Sequence, residues 1–149
     1  MTSQLKDFKI LLVDDDEFIR DSLSLFFQSE GYNFTALDSA EKGIEALKTE
    51  SYDIIFSDYM LPGINGLEFL KRVKESCPDA IKVFITAYFT SDVFYKAIGI
   101  GVQNFIQKPY TTSIIEKSLS QLTEKSKGKN SELHMNGEKL SRIDEVVRS

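Results

Sequence analysis

Three carboxylates, one hydroxyl and one ammonium carry the chemistry that this sequence offers. Asp14 and Asp15 follow the apolar run "KILLV", Asp58 follows "DIIFS", Thr86 closes "IKVFIT", and Lys108 follows "NFIQ" and precedes Pro109. Each stands at the end of a β-rich stretch. In a single parallel sheet the carboxyl ends of such strands share one rim, which would bring the five side chains into one pocket. Carboxylates crowded in this way repel: two of them about 4 Å apart cost roughly 1 kcal/mol in water and about 4 kcal/mol at an effective dielectric near 20. A hard divalent cation relieves the repulsion, because Mg²⁺ (or Mn²⁺) favours carboxylate and water oxygens in an octahedral shell. The same ion leaves room for phosphoryl oxygens, with Asp58 available as nucleophile. Asp16 and Glu17 continue the acidic run but read as loop and helix-start residues, which complement the helix macrodipole.

The elements that must position these groups alternate strictly between β-rich and helical-period segments. Strands are expected at Phe8–Val13, Asn33–Leu37, Asp53–Ser57, Ile81–Thr86 and Asn104–Gln107. Helices are expected from about Asp16 to Glu30, Ser39 to Thr49, Gly66 to Glu75, Ser91 to Ile98, and Thr111 to about Glu124. In the first helix Ile19, Leu23, Phe26 and Phe27 recur on one face, and Gly31 stops it. Asp38 with Glu41 has the spacing of a capping box for the second helix. "LPGING" reads as a turn, and Pro109 as the first residue of the last helix. Near-continuous apolar strands suit a parallel sheet covered on both faces, and the alternation gives a doubly wound α/β fold with right-handed crossovers.

At 149 residues and 42% hydrophobic composition the chain fits one domain with an ordinary core, followed by a short appendage. Residues 1–126 form the expected domain. Residues 127–149 are polar and read as a linker or a short amphipathic helix carrying Leu140, Ile143, Val146 and Val147. The net charge of −5 argues against direct nucleic-acid binding. No apolar run approaches the roughly 20 residues of a membrane helix, and the N-terminus has no signal-peptide core. Cys77 stands alone, which excludes an internal disulfide. These features point to the cytoplasm. His134, the single histidine, reads as a solvated tail residue, and Tyr110 as packing.

Together "LLVDDDE", "DIIFSDYMLPGINGLE", "VFITAY" and "NFIQKPY" stand in an order and spacing that resembles the receiver domain of two-component response regulators, over about residues 7–126. The resemblance implies a flavodoxin-like fold with a five-stranded parallel sheet in the order 2-1-3-4-5. It implies Asp58 as the phosphoacceptor, taking a phosphoryl group from a phosphohistidine on a sensor kinase or phosphotransfer protein. Asp15, Asp58 and the backbone carbonyl of Met60 correspond to direct Mg²⁺ ligands, and Asp14 to the acidic residue that acts through metal-bound water. Lys108 corresponds to the lysine that pairs with a phosphoryl oxygen, and its peptide bond to Pro109 is often cis in the family. Thr86 and Phe105 correspond to the switch pair: the hydroxyl bonds the phosphoryl group and the aromatic swings inward. Met60 and Tyr88 occupy the two positions that tune phosphate lifetime, and an apolar and an aromatic side chain there imply slow self-dephosphorylation. An output domain or partner is expected on the face made by the fourth helix, fifth strand and fifth helix, where Phe89, Val93, Phe94 and Tyr95 supply aromatic and apolar surface. About half of those four are expected to cover the sheet instead. A homodimer through that face stays open.

Three rival readings fit these residues less well. A haloacid dehalogenase-like phosphohydrolase would use Asp14 as nucleophile and Asp16 as acid/base, but it calls for Thr or Val where Phe18 stands, and no cap segment is inserted. A flavodoxin would place a phosphate dianion against four acidic residues. A pseudo-receiver that never takes phosphate is opposed by the complete set of acidic residues, Thr86 and Lys108.

Overall fold

The computed structural model describes residues 7–87, 89–128 and 134–135. In chain order the elements are β1 (Lys9–Val13), α1 (Glu17–Ser29), β2 (Asn33–Leu37), α2 (Ala40–Leu47), β3 (Ile54–Asp58), α3 (Gly66–Ser76), β4 (Ile81–Thr86), α4 (Ser91–Gly99), β5 (Val102–Gln107), α5 (Thr112–Gly128) and β6 (His134–Met135). All strand pairs are parallel, in the order β2-β1-β3-β4-β5-β6. The five expected strands therefore stand in the expected order 2-1-3-4-5.

The sixth strand, which pairs His134 with Asn104 and Met135 with Phe105, was not anticipated. It places His134 in a strand at the sheet edge. The amphipathic helix expected at Leu140–Val147 lies outside the described residues, and α5 runs to Gly128, two residues beyond the expected domain end.

Period-two alternation sorts the strand side chains into two cores. Ile10, Leu12, Ile54, Phe56, Val83, Ile85 and Ile106 face α1 and α5, meeting Leu23, Phe27, Ile115 and Leu119. Leu11, Val13, Ile55, Phe84 and Phe105 face the opposite way, meeting Phe69, Leu70 and Val73 of α3 and Val93 and Ala97 of α4. Burial on both faces is what makes the strands read as unbroken apolar runs.

Local signals differ from expectation at a few positions. Ser39, not Asp38, caps α2: its backbone is extended and its hydroxyl accepts from the Lys42 N–H at 3.1 Å. With the cap moved one residue along, Asp38 pairs with Lys42 Nζ at 3.1 Å, and Glu41 accepts from the Ile64 N–H across the α2–α3 junction at 3.0 Å. Asp16 caps α1, accepting from the Ile19 N–H at 3.2 Å, and Gly31 closes that helix at φ 89°. Pro109 is not the first helical residue, because α5 starts at Thr112. β5 begins at Val102, two residues earlier than expected.

Asn104 is the odd residue in β5. It is fully buried, it alternates with Phe105 and so shares the face of Ile106, and among the described residues neither its amide oxygen nor its nitrogen has a hydrogen-bond partner. An unsatisfied buried polar group costs about 1–3 kcal/mol. Asn104→Leu, which keeps the shape and removes the polarity, is expected to raise unfolding free energy by about that amount. Urea denaturation with an unchanged slope and a higher midpoint is the measurement.

Candidate functional site

The strand ends converge as the alternation required. β1 delivers Asp14 and Asp15, β3 ends on Asp58, β4 on Thr86, and Lys108 follows β5. Carboxylate oxygens of Asp14, Asp15 and Asp58 all lie within 4.8 Å of one another. Asp14 and Asp58 are buried, whereas Asp15 is exposed at the mouth. Three hard, anionic oxygen donors at this spacing fit a Mg²⁺-type ion, which binds through one or a few carboxylates and keeps several waters.

Lys108 supplies the positive charge inside the cluster. Its Nζ donates to Asp58 Oδ2 at 2.6 Å and lies 3.5 Å from Asp14 Oδ2. The Met60 N–H donates to the other Asp58 oxygen, Oδ1, at 3.2 Å. Asp58 is thus held by one donor on each oxygen, which fixes the plane of its carboxylate. Burial pushes Asp58 above the ordinary carboxylate range and Asp14 adds to the push, against the pull of Lys108 and the Met60 amide. Burial also works against the Lys108 ammonium, but the bond to Asp58 and the charge of Asp14 outweigh it and raise Lys108 above its usual value.

Asp14 is the most enclosed member. Its Oδ1 accepts from the Asp16 N–H at 2.9 Å, and its Oδ2 accepts from the Tyr110 hydroxyl at 2.9 Å. Burial, with the charge of Asp14, raises the Tyr110 phenol far above its ordinary value, so it stays a donor. Tyr110 therefore does more than pack, contrary to the sequence reading. The signal available was its place directly after "KP", at the entry to α5. The Lys108–Pro109 peptide is cis, as the resemblance implied.

Gly66 is a second residue the sequence reading passed over. A Cβ there would lie 1.9 Å from the Asp58 carbonyl oxygen, so only glycine lets the first turn of α3 approach β3 so closely. Its N–H donates to the Tyr59 carbonyl at 2.9 Å, which ties the loop after Asp58 to α3.

Thr86 is fully buried at the end of β4, and its carbonyl accepts from the Lys108 N–H at 3.1 Å. Phe105 is also fully buried, with ring centroids 5.1 Å from Phe94, 5.7 Å from Phe89 and 6.2 Å from Phe84. It stands inward in this structure. Of the four side chains expected on the α4 face, Val93 is buried, Phe89 and Phe94 pack partly against the core, and Tyr95 is 56% exposed. Met60 is 57% exposed beside Asp58. Tyr88 lies outside the described residues.

Residues 10–120 match the family model described as "Response regulator receiver domain". The chain is 31% identical to the transcriptional regulatory protein FixJ of Bradyrhizobium diazoefficiens, over 75% of this chain and 57% of that protein. It is 27% identical to a cyclic di-GMP phosphodiesterase of Thermotoga maritima, over 74% of this chain and 30% of that one. The chain thus spans less than two thirds of the length of each of these relatives. Among solved structures, a CheY-like response regulator receiver domain protein from Methanospirillum hungatei superposes with a TM-score of 0.74 at 28% identity, covering 81% of this chain and 98% of that one. These matches do not support the dehalogenase-like alternative, and Asp14 is enclosed by Tyr110 and Lys108 rather than presented to solvent.

Tyr110→Phe removes a donor from a buried carboxylate and is expected to destabilise the fold by about 1–3 kcal/mol. Urea unfolding with and without Mg²⁺ checks this. The loss should shrink with Mg²⁺ present, because the cation takes over part of the neutralisation of Asp14.

Proposed function

Since the chain belongs to the response regulator receiver domain family, we propose that Asp58 accepts a phosphoryl group from a histidine kinase or phosphotransfer partner in a Mg²⁺-dependent reaction. The observation that carries the reading is the Asp58–Lys108 pair set beside Asp14 and Asp15 on one rim. The family is a signalling switch rather than an enzyme with a turnover substrate.

A carboxylate oxygen of Asp58 attacks the phosphorus of a phosphohistidine; the P–N bond breaks, the imidazole leaves and takes up a proton, and an aspartyl phosphate remains. The Met60 N–H and Lys108 orient the carboxylate before attack. As charge builds on the phosphoryl oxygens, Lys108 is positioned to follow it from the carboxylate to the new phosphate. Asp15, Asp58 and the Met60 carbonyl would hold a Mg²⁺, with Asp14 reaching it through water, and the ion would supply further charge neutralisation. Exposed Phe18 in the first turn of α1 and exposed Met60 offer apolar contact to a docking kinase.

Downstream, the phosphoryl group is expected to draw the Thr86 hydroxyl and favour the inward placement of Phe105. Phe105 already packs against Phe84, Phe89 and Phe94, so phosphorylation would shift a population rather than create a new packing. Output is expected through the α4-β5-α5 face, where Tyr95 is exposed, to a partner or to further segments of a longer protein. We place the chain in the cytoplasm, without direct nucleic-acid contact and with dimerisation through that face open. Among the described residues no helix is long and apolar enough to cross a membrane.

Incubation with phosphoramidate and Mg²⁺, followed by reductive trapping and peptide mass spectrometry, should locate one modification on Asp58. Asp58→Asn should abolish it and Asp15→Asn should reduce it at least about tenfold; modification at Asp14 would overturn the assignment. Met60 and Tyr88 are proposed to shield the phosphate from water. The double variant Met60→Asn, Tyr88→Glu should lose phosphate several-fold faster than the unmodified chain in a single-turnover decay assay.

A further inference from the structure

At the rim opposite Asp58, where β4 and β5 begin, a cleft of about 620 Å³ opens between the end of α3, the loop into β4 and the α4–β5 turn. Lys82 lines it, yet the residue is only 4% exposed. An ammonium carries three N–H donors. Lys82 Nζ spends one on the Ala80 carbonyl at 3.1 Å, its single hydrogen-bond partner among the described residues, and no carboxylate there forms an ion pair with it. Burial lowers its pKa and the charge of Lys74 adds to this, with Cys77 and Asp79 opposing. A buried cation without a bonded counter-charge is normally expensive. Here it faces an open cleft, and nothing in the phosphoryl site makes use of it.

The chemistry of the walls narrows what fits. Lys74 and Lys82 against Asp79 leave a local charge of +1, which suits a monoanion; a phosphate dianion would be overcharged and would meet Asp79. Pro78, Ile98 and Ile100 supply apolar wall. Gly101, at φ 90°, borders the cleft and makes the turn into β5 that side chains rarely allow; a Cβ there would lie 4.0 Å from Lys82 Nζ, which places the ammonium beside this wall. We infer that this cleft binds a monocarboxylate with a small apolar body, its carboxylate seated on the two remaining Lys82 N–H donors and its body against Pro78, Ile98 and Ile100. The site lies at the start of the same two strands whose far ends carry Thr86 and lead to Lys108.

Titration of the ¹⁵N-labelled 149-residue chain with isovalerate, observed by amide correlation spectra, tests the inference. Saturable shifts are expected at the amides of Ala80, Lys82, Gly101 and Gln103. Isovaleramide, the neutral isostere, should leave them unmoved, and inorganic phosphate should bind at least about tenfold more weakly. Lys82→Met retains the side-chain length and removes a desolvated charge, so it should fold; it should weaken isovalerate binding at least about tenfold. Lys74→Ala, outside the core, should weaken it less. Absence of saturable shifts, equal shifts with the amide, phosphate binding as tight as isovalerate, unchanged binding in Lys82→Met, or shifts centred on Asp58 and Lys108 would each overturn the assignment.

Discussion

The structure turns on one electrostatic problem, the placing of two buried carboxylates beside each other. Asp14 and Asp58 sit at the ends of neighbouring strands, both out of water, and their repulsion in that setting amounts to several kcal/mol. Lys108, 2.6 Å from one and 3.5 Å from the other, is the compensation the chain carries within itself. Everything needed to deliver that ammonium follows from the fold: β5 at its place in the sheet, the Lys108 N–H on the Thr86 carbonyl, and Tyr110 turned back onto Asp14. One lysine against three carboxylates leaves the cluster net negative, which is what a divalent cation answers.

The sheet can hold this charged rim because the two cores beneath it are built almost entirely of apolar side chains, with Asn104 and Lys82 among the exceptions. One face is sealed by α1 and α5, the other by α2, α3 and α4. The rim and the opposite pole then differ in kind. At the rim both buried carboxylates have close partners, with Lys108, Tyr110 and backbone N–H groups shared between Asp14 and Asp58. At the opposite pole Lys82 is buried with the Ala80 carbonyl as its single hydrogen-bond partner among the described residues.

Most of the fold and the heart of the site were legible in the sequence, for physical reasons. Apolar strands buried on both faces and ended by carboxylates give a strong pattern, and the strand-end rule carries Asp14, Asp15, Asp58, Thr86 and Lys108 to one rim. What escaped has causes of equal clarity. The α2 cap moved from Asp38 to Ser39 because neighbouring residues can both cap, and only backbone dihedrals decide between them. Tyr110 was read as packing because an aromatic looks the same whether or not its hydroxyl reaches a carboxylate 96 positions away. Gly66 depends on the closeness of a carbonyl from another element. Lys82 sits in a strand whose every residue is buried, and a lone lysine in such a run shows no sign of where its ammonium goes.

The two-residue strand β6 changes how this molecule can meet another. A parallel sheet that stopped at β5 would expose a row of unpaired N–H and C=O groups, a template onto which any extended segment could add. Pairing of His134 and Met135 with Asn104 and Phe105 occupies that template at its middle. Strand addition there would have to displace this pairing first, because the free backbone groups of β5 are no longer continuous. The described sheet then has β2 as its one full-length edge strand and the two-residue β6 as the other.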